Sequence, residues 1–446
     1  MAKEKNTFLE SIVKIALPVT LQSMLRASFC IVDQVMIGQL GSESISGIGL
    51  SGKFASMHDV VLGAITAAAA IMIAQYMGQK NEQNVRRSYH VNMLVSIVVA
   101  LLFTVGSLAF TGQILGCYTK DMTTAAIGET YLKIYAWSFI PAALSGMAET
   151  MLCCMEAAVF PLIASIVSLI VNTGLNYLLI FGKFGFPEMG VRGAAVASMI
   201  AKVVLCIIVY IFLFYCLKKQ NKKLSFDIGW NKAEWMSYIK ILAPLLVCEF
   251  MWSLGENIYS GIYGNIGTKE CAAMTMTVPI QGLMTGALFG LAKAAGIIVG
   301  KSLGDRKYDE AYRDSKKIMK YGLFVSIALS AILILLGRVY TGIYNVDAYV
   351  KDTAYILVVV FAIVCPVKVL NMILGGGILR SGGKTNYVLA VDIIGTWIFG
   401  VPLGLLSAFV WNLPIAYVYF ILSMEECVRL IISMIFFKKR IWMQRI

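Results

Sequence analysis

The sequence predicts an all-α membrane protein with twelve transmembrane helices arranged in two pseudo-symmetric six-helix lobes. Three observations support this fold class: an apolar composition, twelve long apolar stretches and an internal repeat. Of the 446 residues, 59% are hydrophobic and 14% are charged, and the mean hydropathy is +0.77. A soluble domain averages about 25% charged residues, so most of this surface is too apolar to face water.

Twelve apolar stretches are long enough to cross a bilayer, because a transmembrane helix needs about 20 mainly apolar residues. They cover residues 14–38, 46–78, 89–115, 123–153, 160–182, 191–217, 236–264, 272–302, 313–341, 348–379, 386–408 and 414–437. Several exceed the minimum length, so we expect tilted or kinked helices, with Pro18 and Pro244 among the kink sites.

The distribution of Lys and Arg predicts the orientation, since cytoplasmic loops of membrane proteins are enriched in these residues. With the N-terminus placed in the cytoplasm, the inner segments carry 24 Lys and Arg and the outer segments carry 7. An even number of spans returns the C-terminus to the cytoplasm. We therefore expect a multi-pass protein of the cell (inner or plasma) membrane.

The net charge of +13 would suggest a nucleic-acid partner in a soluble protein. Here the basic residues lie mostly in short loops between apolar stretches, and no compact basic patch with interleaved aromatic residues is visible. We therefore expect a monomer whose partners are the lipid bilayer and small-molecule substrates, with no nucleic acid.

The two halves of the chain align when one is shifted by 226 residues, which places Pro18 on Pro244 and Gly78 on Gly304. Each half has six predicted spans, so the two copies start on the same side of the membrane and form parallel repeats. The predicted parts are an N-terminal lobe at 1–217, a cytoplasmic linker at 218–235 and a C-terminal lobe at 236–446. Paired lobes of this kind suit alternating access around a central cavity.

Charged side chains within the spans are the main candidates for function, because they are costly in lipid and rarely face it. Asp33 in the first span is the sharpest candidate, and its spacing from Gln22 and Arg26 predicts that the three side chains share one helix face. A carboxylate there can bind a proton or Na⁺, or it can attract a cationic substrate.

Polar side chains in the fifth and sixth spans are further candidates. Asn172 and Asn176 are four residues apart, which predicts two amides on one face of the helix. Amide oxygens are hard ligands that suit Na⁺, although the pair is equally typical of hydrogen bonds between helices. Ser198 offers a hydroxyl in the sixth span.

Other charged and aromatic residues predict a polar substrate cavity. In-span charges also occur at Asp59, Glu149 and Lys202. The tentative cavity residues are Gln22, Arg26, Lys53, Glu249, Trp252, Glu256, Lys293, Lys368 and Asp392.

Several functional classes lack their sequence signals. The segment 375–385 resembles a phosphate-binding loop, but Ile378 stands where that motif needs Gly and no strand precedes it. We expect no ATP-driven step, no enzyme activity and no bound cofactor besides a coupling ion. A catalytic HExxH motif does not occur, and repeated filter loops typical of a channel are not visible.

Five sequence segments resemble the multidrug and toxic compound extrusion (MATE) family. They are IVDQVMIGQLG, IAQYMGQKN, LIVNTGLNYLLIFGKFGFPEMGVRGAAVAS, LGDRKYDEAYRDSKK and ILRSGGKTNYVLA. The resemblance implies a MATE-like fold and a secondary antiporter that exports organic, often cationic, drugs in exchange for Na⁺ or H⁺. It also implies a cation-coupling site in the N-terminal lobe, formed by Asp33, Asn172, Asn176 and Ser198.

Two of these positions depart from the family pattern, since Asn176 falls where some members have Asp and Ser198 where many have Thr. The alternative function is a lipid-linked saccharide flippase of a related branch. The in-span bases Arg26, Lys53, Lys293 and Lys368 suggest it, because they would suit a pyrophosphate group.

Overall fold

The computed structural model describes residues 2–344 and 346–446, with side chains from Leu9 onward except those of 29–31, 34, 35 and 42. Within these residues the chain is helical and contains no strand. The first half comprises α1 (Ala2–Gly38), α2 (Ser42–Gly78), α3 (Glu82–Ala109), α4 (Thr111–Gly116), α5 (Met122–Tyr135), α6 (Phe139–Cys154), α7 (Val159–Phe181) and α8 (Val191–Lys219). The second half comprises α9 (Lys232–Ile266), α10 (Thr268–Gly304), α11 (Tyr308–Gly342), α12 (Ala348–Asn371), α13 (Thr385–Asp392), α14 (Val401–Leu405), α15 (Ile415–Ser423) and α16 (Glu425–Lys438).

Nine helical segments in the described part are long and apolar enough to cross a membrane. They are Glu43–Gly78, Glu82–Ala109, Val159–Phe181, Val191–Lys219, Lys232–Ile266, Thr268–Gly304, Tyr308–Gly342, Ala348–Leu379 and Thr385–Val410. Large apolar side chains on these helices point outward, such as Leu102 at 68% and Leu335 at 78% exposure. The predicted all-α membrane fold is confirmed, and the protein is a multi-pass membrane protein.

Three of the twelve predicted spans fall outside this set. The stretch 14–38 lies in α1, 123–153 is interrupted by a 3₁₀ turn at Ala136–Ser138, and 414–437 is interrupted at Met424 between α15 and α16. The count of twelve transmembrane helices therefore stays a prediction.

Wide π-helical turns interrupt the second half at Met372–Leu379, Ile393–Gly400 and Leu406–Val410. A π turn adds a residue to the helical repeat and changes the direction of the side chains, and such turns are frequent at functional sites. The first of these segments ends directly before Arg380, and the second begins directly after Asp392.

The chain divides into two compact units. The N-terminal unit contains Met24–Ile73 and Glu82–Asn231. The C-terminal unit contains Met1–Ser23, Ala74–Asn81 and Lys232–Ile446. Helix α1 is therefore divided between the two units after Ser23, and helix α2 is divided after Ile73. The predicted parts 1–217, 218–235 and 236–446 follow the sequence repeat instead, and they stay a prediction.

Glycine allows close helix approach inside each unit. In the N-terminal unit, Gly47 of α2 and Gly128 of α5 lie so close that a Cβ on either would crowd the backbone of the other helix. In the C-terminal unit, a Cβ on Gly78 would overlap the Lys301 carbonyl, and a Cβ on Gly304 would overlap the Gln75 carbonyl. Gly78 and Gly304 are the pair aligned by the repeat, so the end of α2 and the end of α10 meet through a two-fold related contact.

Gln75 extends this contact to the end of the chain. Its buried amide donates to the carbonyl oxygens of Ser381 at 2.7 Å and Gln444 at 3.1 Å, and its oxygen accepts from the Ile446 backbone N–H at 2.7 Å. Trp442 is fully buried and stacks on Phe437 with ring centroids 5.7 Å apart. The final residues are thus packed against the end of α2 and do not form a loose tail.

The segment between α8 and α9 is also anchored. The Asp227 carboxylate accepts hydrogen bonds from the Arg87 guanidinium at 3.1 Å and from the Gly229 backbone N–H at 3.0 Å. The Gly229 N–H and the Arg87 charge hold the pKa of Asp227 below its ordinary value, although partial burial opposes them. This contact ties the linker to α3.

We predict that Gly304→Ala lowers the thermal unfolding midpoint of the purified protein by several degrees, because the new methyl group overlaps the Gln75 carbonyl. Overpacking of this kind costs about 1–3 kcal/mol. Gly296→Ala is the matched control in α10, since a Cβ there has its nearest neighbour at 3.5 Å. Equal midpoints for the two variants in a detergent melting experiment would contradict the close crossing.

We predict that Asp227→Asn speeds tryptic cleavage at Lys222 and Lys223 several-fold at pH 7, because the linker loses its ion pair with Arg87. A lowered carboxyl pKa means that the anchor is intact above about pH 4 and is lost as the pH falls through the lowered value. Cleavage of the wild type should therefore not accelerate between pH 8 and pH 6. Asp305→Asn, which removes an acid paired with Lys307 at 2.8 Å, should leave this rate unchanged.

Candidate functional site

Asp33 of α1 contacts α7 through an amide. The Asn176 Nδ2 donates to Asp33 Oδ1 at 2.5 Å and to Asn172 Oδ1 at 3.3 Å. Asn172 and Asn176 lie one turn apart on α7, as their spacing predicts, and both side chains are buried. The carboxylate is therefore joined to two amides from another helix.

A residue of a third helix, Ser198 of α8, also belongs to this group. Asn172 Nδ2 donates to Ser198 Oγ of α8 at 3.4 Å. Tyr131 of α5 interacts electrostatically with Asp33 and packs among Ile180 and other small or apolar side chains nearby. The structure thus brings together all four residues of the predicted coupling site, within the N-terminal unit, and adds a buried tyrosine that sequence reasoning missed.

One atom of this group is suited to a cation. Asn176 is 1% exposed, and its Oδ1 has no hydrogen-bond partner within the described residues. A buried amide oxygen without a donor is costly, and it is relieved by a cation or by a protonated carboxyl group. One carboxylate with neutral amide and hydroxyl oxygens is a donor set that fits Na⁺ or a proton. No cluster of three or more His, Cys, Asp and Glu that could hold a metal ion occurs in the searched part of the chain.

Other predicted cavity residues of the N-terminal unit lie apart from this group. Arg26 of α1 donates to both carboxylate oxygens of Glu149 on α6, at 3.4 and 3.3 Å. Lys53 of α2 is exposed. Gln22 is buried and belongs to the C-terminal unit, so the face predicted for Gln22, Arg26 and Asp33 is divided between the two units.

The C-terminal unit contains a larger network of charged side chains. Arg380 donates to Glu249 Oε1 at 3.1 Å and contacts Cys248 Sγ at 3.5 Å. The Cys248 thiol donates to Asp392 Oδ2 at 2.6 Å. Two predicted cavity residues, Glu249 and Asp392, are therefore linked through residues that the sequence analysis did not select as site residues.

Arg429 of α16 is the centre of this network. It is 8% exposed and forms ion pairs with Asp392 at 3.8 Å and with Glu425 at 3.6 Å, and it also donates to Thr396. Two further contacts join the network: the Tyr259 hydroxyl donates to Glu425, and the Asn371 amide donates to Glu426 Oε2 at 2.8 Å. Four carboxylates and two guanidinium groups thus meet inside one unit.

The remaining predicted cavity residues are peripheral to this network. Trp252 and Glu256 of α9 are exposed, and Lys293 of α10 is partly buried. Lys368 of α12 is partly buried and interacts electrostatically with Glu425.

Sequence reasoning missed Glu425, Glu426 and Arg429, although a signal was present. These three charges lie within the predicted span 414–437, and Glu425 and Arg429 are one helical turn apart. A complete survey of in-span charges would have identified them.

Comparison with known proteins identifies the family. The MatE family model matches residues 18–178 and 244–406, which is most of the chain. The chain belongs to the MATE family of transporters. The two matched segments begin at Pro18 and Pro244, the pair that the predicted repeat aligns, so each half of this MATE protein carries one copy of the family domain.

The relatives extend along nearly the whole chain. This MATE protein is 25% identical over 395 residues to a probable multidrug resistance protein NorM of Agrobacterium fabrum, covering 86% of this chain and 83% of the relative. It is 23% identical over 421 residues to the uncharacterized transporter YisQ of Bacillus subtilis, covering 93% and 90%. The crystal structure of a mutant of the Vibrio cholerae MATE transporter VcmN matches with a TM-score of 0.88, covering 97% of both chains at 14% identity. That likeness shows the MATE fold.

We predict that Arg429→Met destabilises the protein by about 3–5 kcal/mol, because it leaves buried carboxylates without their cation. Arg338→Met is the matched control, since Arg338 pairs with Asp352 at 3.8 Å on an exposed surface and should change stability by less than about 1 kcal/mol. Adding Glu425→Gln to Arg429→Met should recover part of the loss. Thermal unfolding in detergent measures all three variants, and equal midpoints for the two arginine variants would contradict the network.

Proposed function

We propose that this protein is a secondary antiporter that exports organic, often cationic, small molecules in exchange for Na⁺ or H⁺ by alternating access. Membership of the MATE family supports transport, and the NorM relatives carry names that refer to multidrug resistance. The composition and the apolar helices support a place in the plasma membrane. The excess of Lys and Arg in alternate loops supports cytoplasmic termini.

The observation that carries the proposal is the contact between Asp33 and Asn176. An ionised carboxylate away from bulk water needs a compensating partner, and an amide N–H compensates it only in part. A bound Na⁺ or proton completes the compensation. The Asn176 Oδ1, buried without a donor in the described part of the chain, is an oxygen that such a cation can use.

The exchange follows from the way the coupling ion at Asp33 shifts the equilibrium between two states of the transporter. When the Asp33 group holds its cation, the negative charge of the carboxylate is neutralised, which favours one of the two access states. When the cation leaves, the ionised carboxylate favours the other access state. A ligand shifts a two-state equilibrium only by its differential affinity for the two states, and this group supplies a differential affinity for the coupling ion.

The geometry disfavours the lipid-linked saccharide flippase that the in-span basic residues suggest. That function needs cationic groups free to bind a pyrophosphate. Arg26 is engaged by both oxygens of Glu149, and Lys368 interacts with the acidic Glu425. Of the four bases proposed for that site, Arg26 and Lys53 are exposed, and Lys293 and Lys368 are partly buried.

We predict that Asp33→Asn abolishes gradient-driven dye efflux from proteoliposomes while changing the unfolding midpoint little, because the variant keeps the side-chain shape and loses the charge. Imposing Na⁺ and pH gradients separately identifies the coupling ion by which gradient drives efflux. Asp347→Asn, which removes an exposed acid paired with Lys269 at 2.9 Å, should retain wild-type efflux. Wild-type protein that moves no dye under either gradient, or undiminished efflux by Asp33→Asn, would sink the proposal.

A further inference from the structure

The N-terminal unit contains a second in-span acid, Asp59 of α2, whose surroundings differ from those of Asp33. Asp33 is partly buried and contacts an amide, whereas the Asp59 side chain is 63% exposed. Charged groups from α1 and α8 interact with it electrostatically, which indicates that Asp59 faces the interior of the helix bundle and not lipid. The exposed carboxylate is therefore accessible to a solute that enters this unit.

His58, the preceding residue, holds the Asp59 carboxylate in place. His58 Nδ1 lies 3.2 Å from Asp59 Oδ1, and the ring is fully buried between Phe139, stacked at 4.4 Å, and Phe103, edge-on at 5.4 Å. The other ring nitrogen, Nε2, is buried and has no partner within the described residues. Since an imidazolium would leave a buried N–H unpaired there, the neutral ring with Nδ1–H donating to Asp59 fits this environment.

The neighbouring charges leave the Asp59 carboxylate without a direct cationic partner. Lys202 of α8 and Arg26 of α1 interact with it electrostatically. Among the described side chains, neither cation forms an ion pair with Asp59 within 4.0 Å, and the neutral His58 ring is the group that contacts its carboxylate. Arg26 is instead paired with Glu149 of α6, and Tyr135 of α5 also faces Asp59.

We propose that Asp59 is the carboxylate that binds the cationic nitrogen of the exported substrate, with His58 as its positioning residue. The inference rests on the proposed export function, and it assigns the specificity for cationic substrates to a group other than Asp33. The substrate class is an organic cation with N–H donors, such as a protonated amine or an amidinium, because these form charge-assisted hydrogen bonds with a carboxylate. In this proposal Asp33 binds the coupling ion, and Asp59 binds the substrate.

The test compares binding and export of the amidinium dye DAPI with those of chloramphenicol, which is uncharged. In Asp59→Asn we expect the Kd of DAPI for the purified protein to rise at least ten-fold, and the KM of DAPI efflux to rise similarly with little change in maximal rate. Binding and export of chloramphenicol should be unchanged. Asp33→Asn should show the reverse pattern for DAPI: little change in Kd and loss of gradient-driven efflux.

Two variants of the histidine separate positioning from packing. His58→Asn keeps an N–H donor near the Nδ1 position, so its DAPI Kd should stay within about three-fold of wild type. His58→Phe keeps the stacked ring and loses the donor, so its Kd should rise towards that of Asp59→Asn. A Kd for DAPI within two-fold of wild type in Asp59→Asn, or equal losses for DAPI and chloramphenicol, would overturn the assignment. Absence of wild-type efflux would refute the export function, and the binding assay would still decide the role of Asp59.

Discussion

The cost of leaving a charge unpaired in an apolar environment governs the interior of this protein. An ionised group removed from water needs an opposite charge or several hydrogen bonds, and the long apolar helices provide neither from their backbones. Several buried charges are therefore met by a side chain from another helix. Arg26 reaches Glu149 across 123 residues of sequence, and Arg380 reaches Glu249 across 131. These pairings select which faces of the helices turn inward.

The two units meet this constraint with different chemistry. In the N-terminal unit, Asp33 is compensated by the amide of Asn176, which leaves its charge incompletely balanced. In the C-terminal unit, Arg380 forms an ion pair with Glu249, and Arg429 forms ion pairs with Asp392 and Glu425. An acid compensated by an amide is free to exchange a cation, whereas an acid bound to a guanidinium has its partner already. This difference supports the proposal that the coupling function lies in the N-terminal unit, although the C-terminal network contains more acidic residues.

Backbone packing provides the second constraint. Helices without a hydrophobic driving force between them associate through close contact of small residues, and glycine permits the closest approach. The Gly78 and Gly304 contacts have the same form on α2 and α10, each glycine facing a carbonyl of the other helix. The repeat in the sequence thus corresponds to a repeated contact in the structure. Gln75 adds hydrogen bonds to the loop at Ser381 and to the last residues of the chain.

The sequence by itself determined the membrane class, the helical content and the repeat, because long apolar stretches and equal spacing are local or periodic properties. It also predicted that Asp33, Asn172, Asn176 and Ser198 belong to one group, because the residue types and the family motifs are visible in the sequence, and the structure places the four side chains in contact. It did not select Glu425 and Arg429, and it did not indicate that Gln22 belongs to the C-terminal unit whereas Arg26 and Asp33 belong to the N-terminal unit. Only the tertiary structure decided which charges pair, because partners more than 100 residues apart meet through helix packing. For the same reason it alone revealed that the Asn176 oxygen has no hydrogen-bond partner among the described residues and that His58 contacts Asp59.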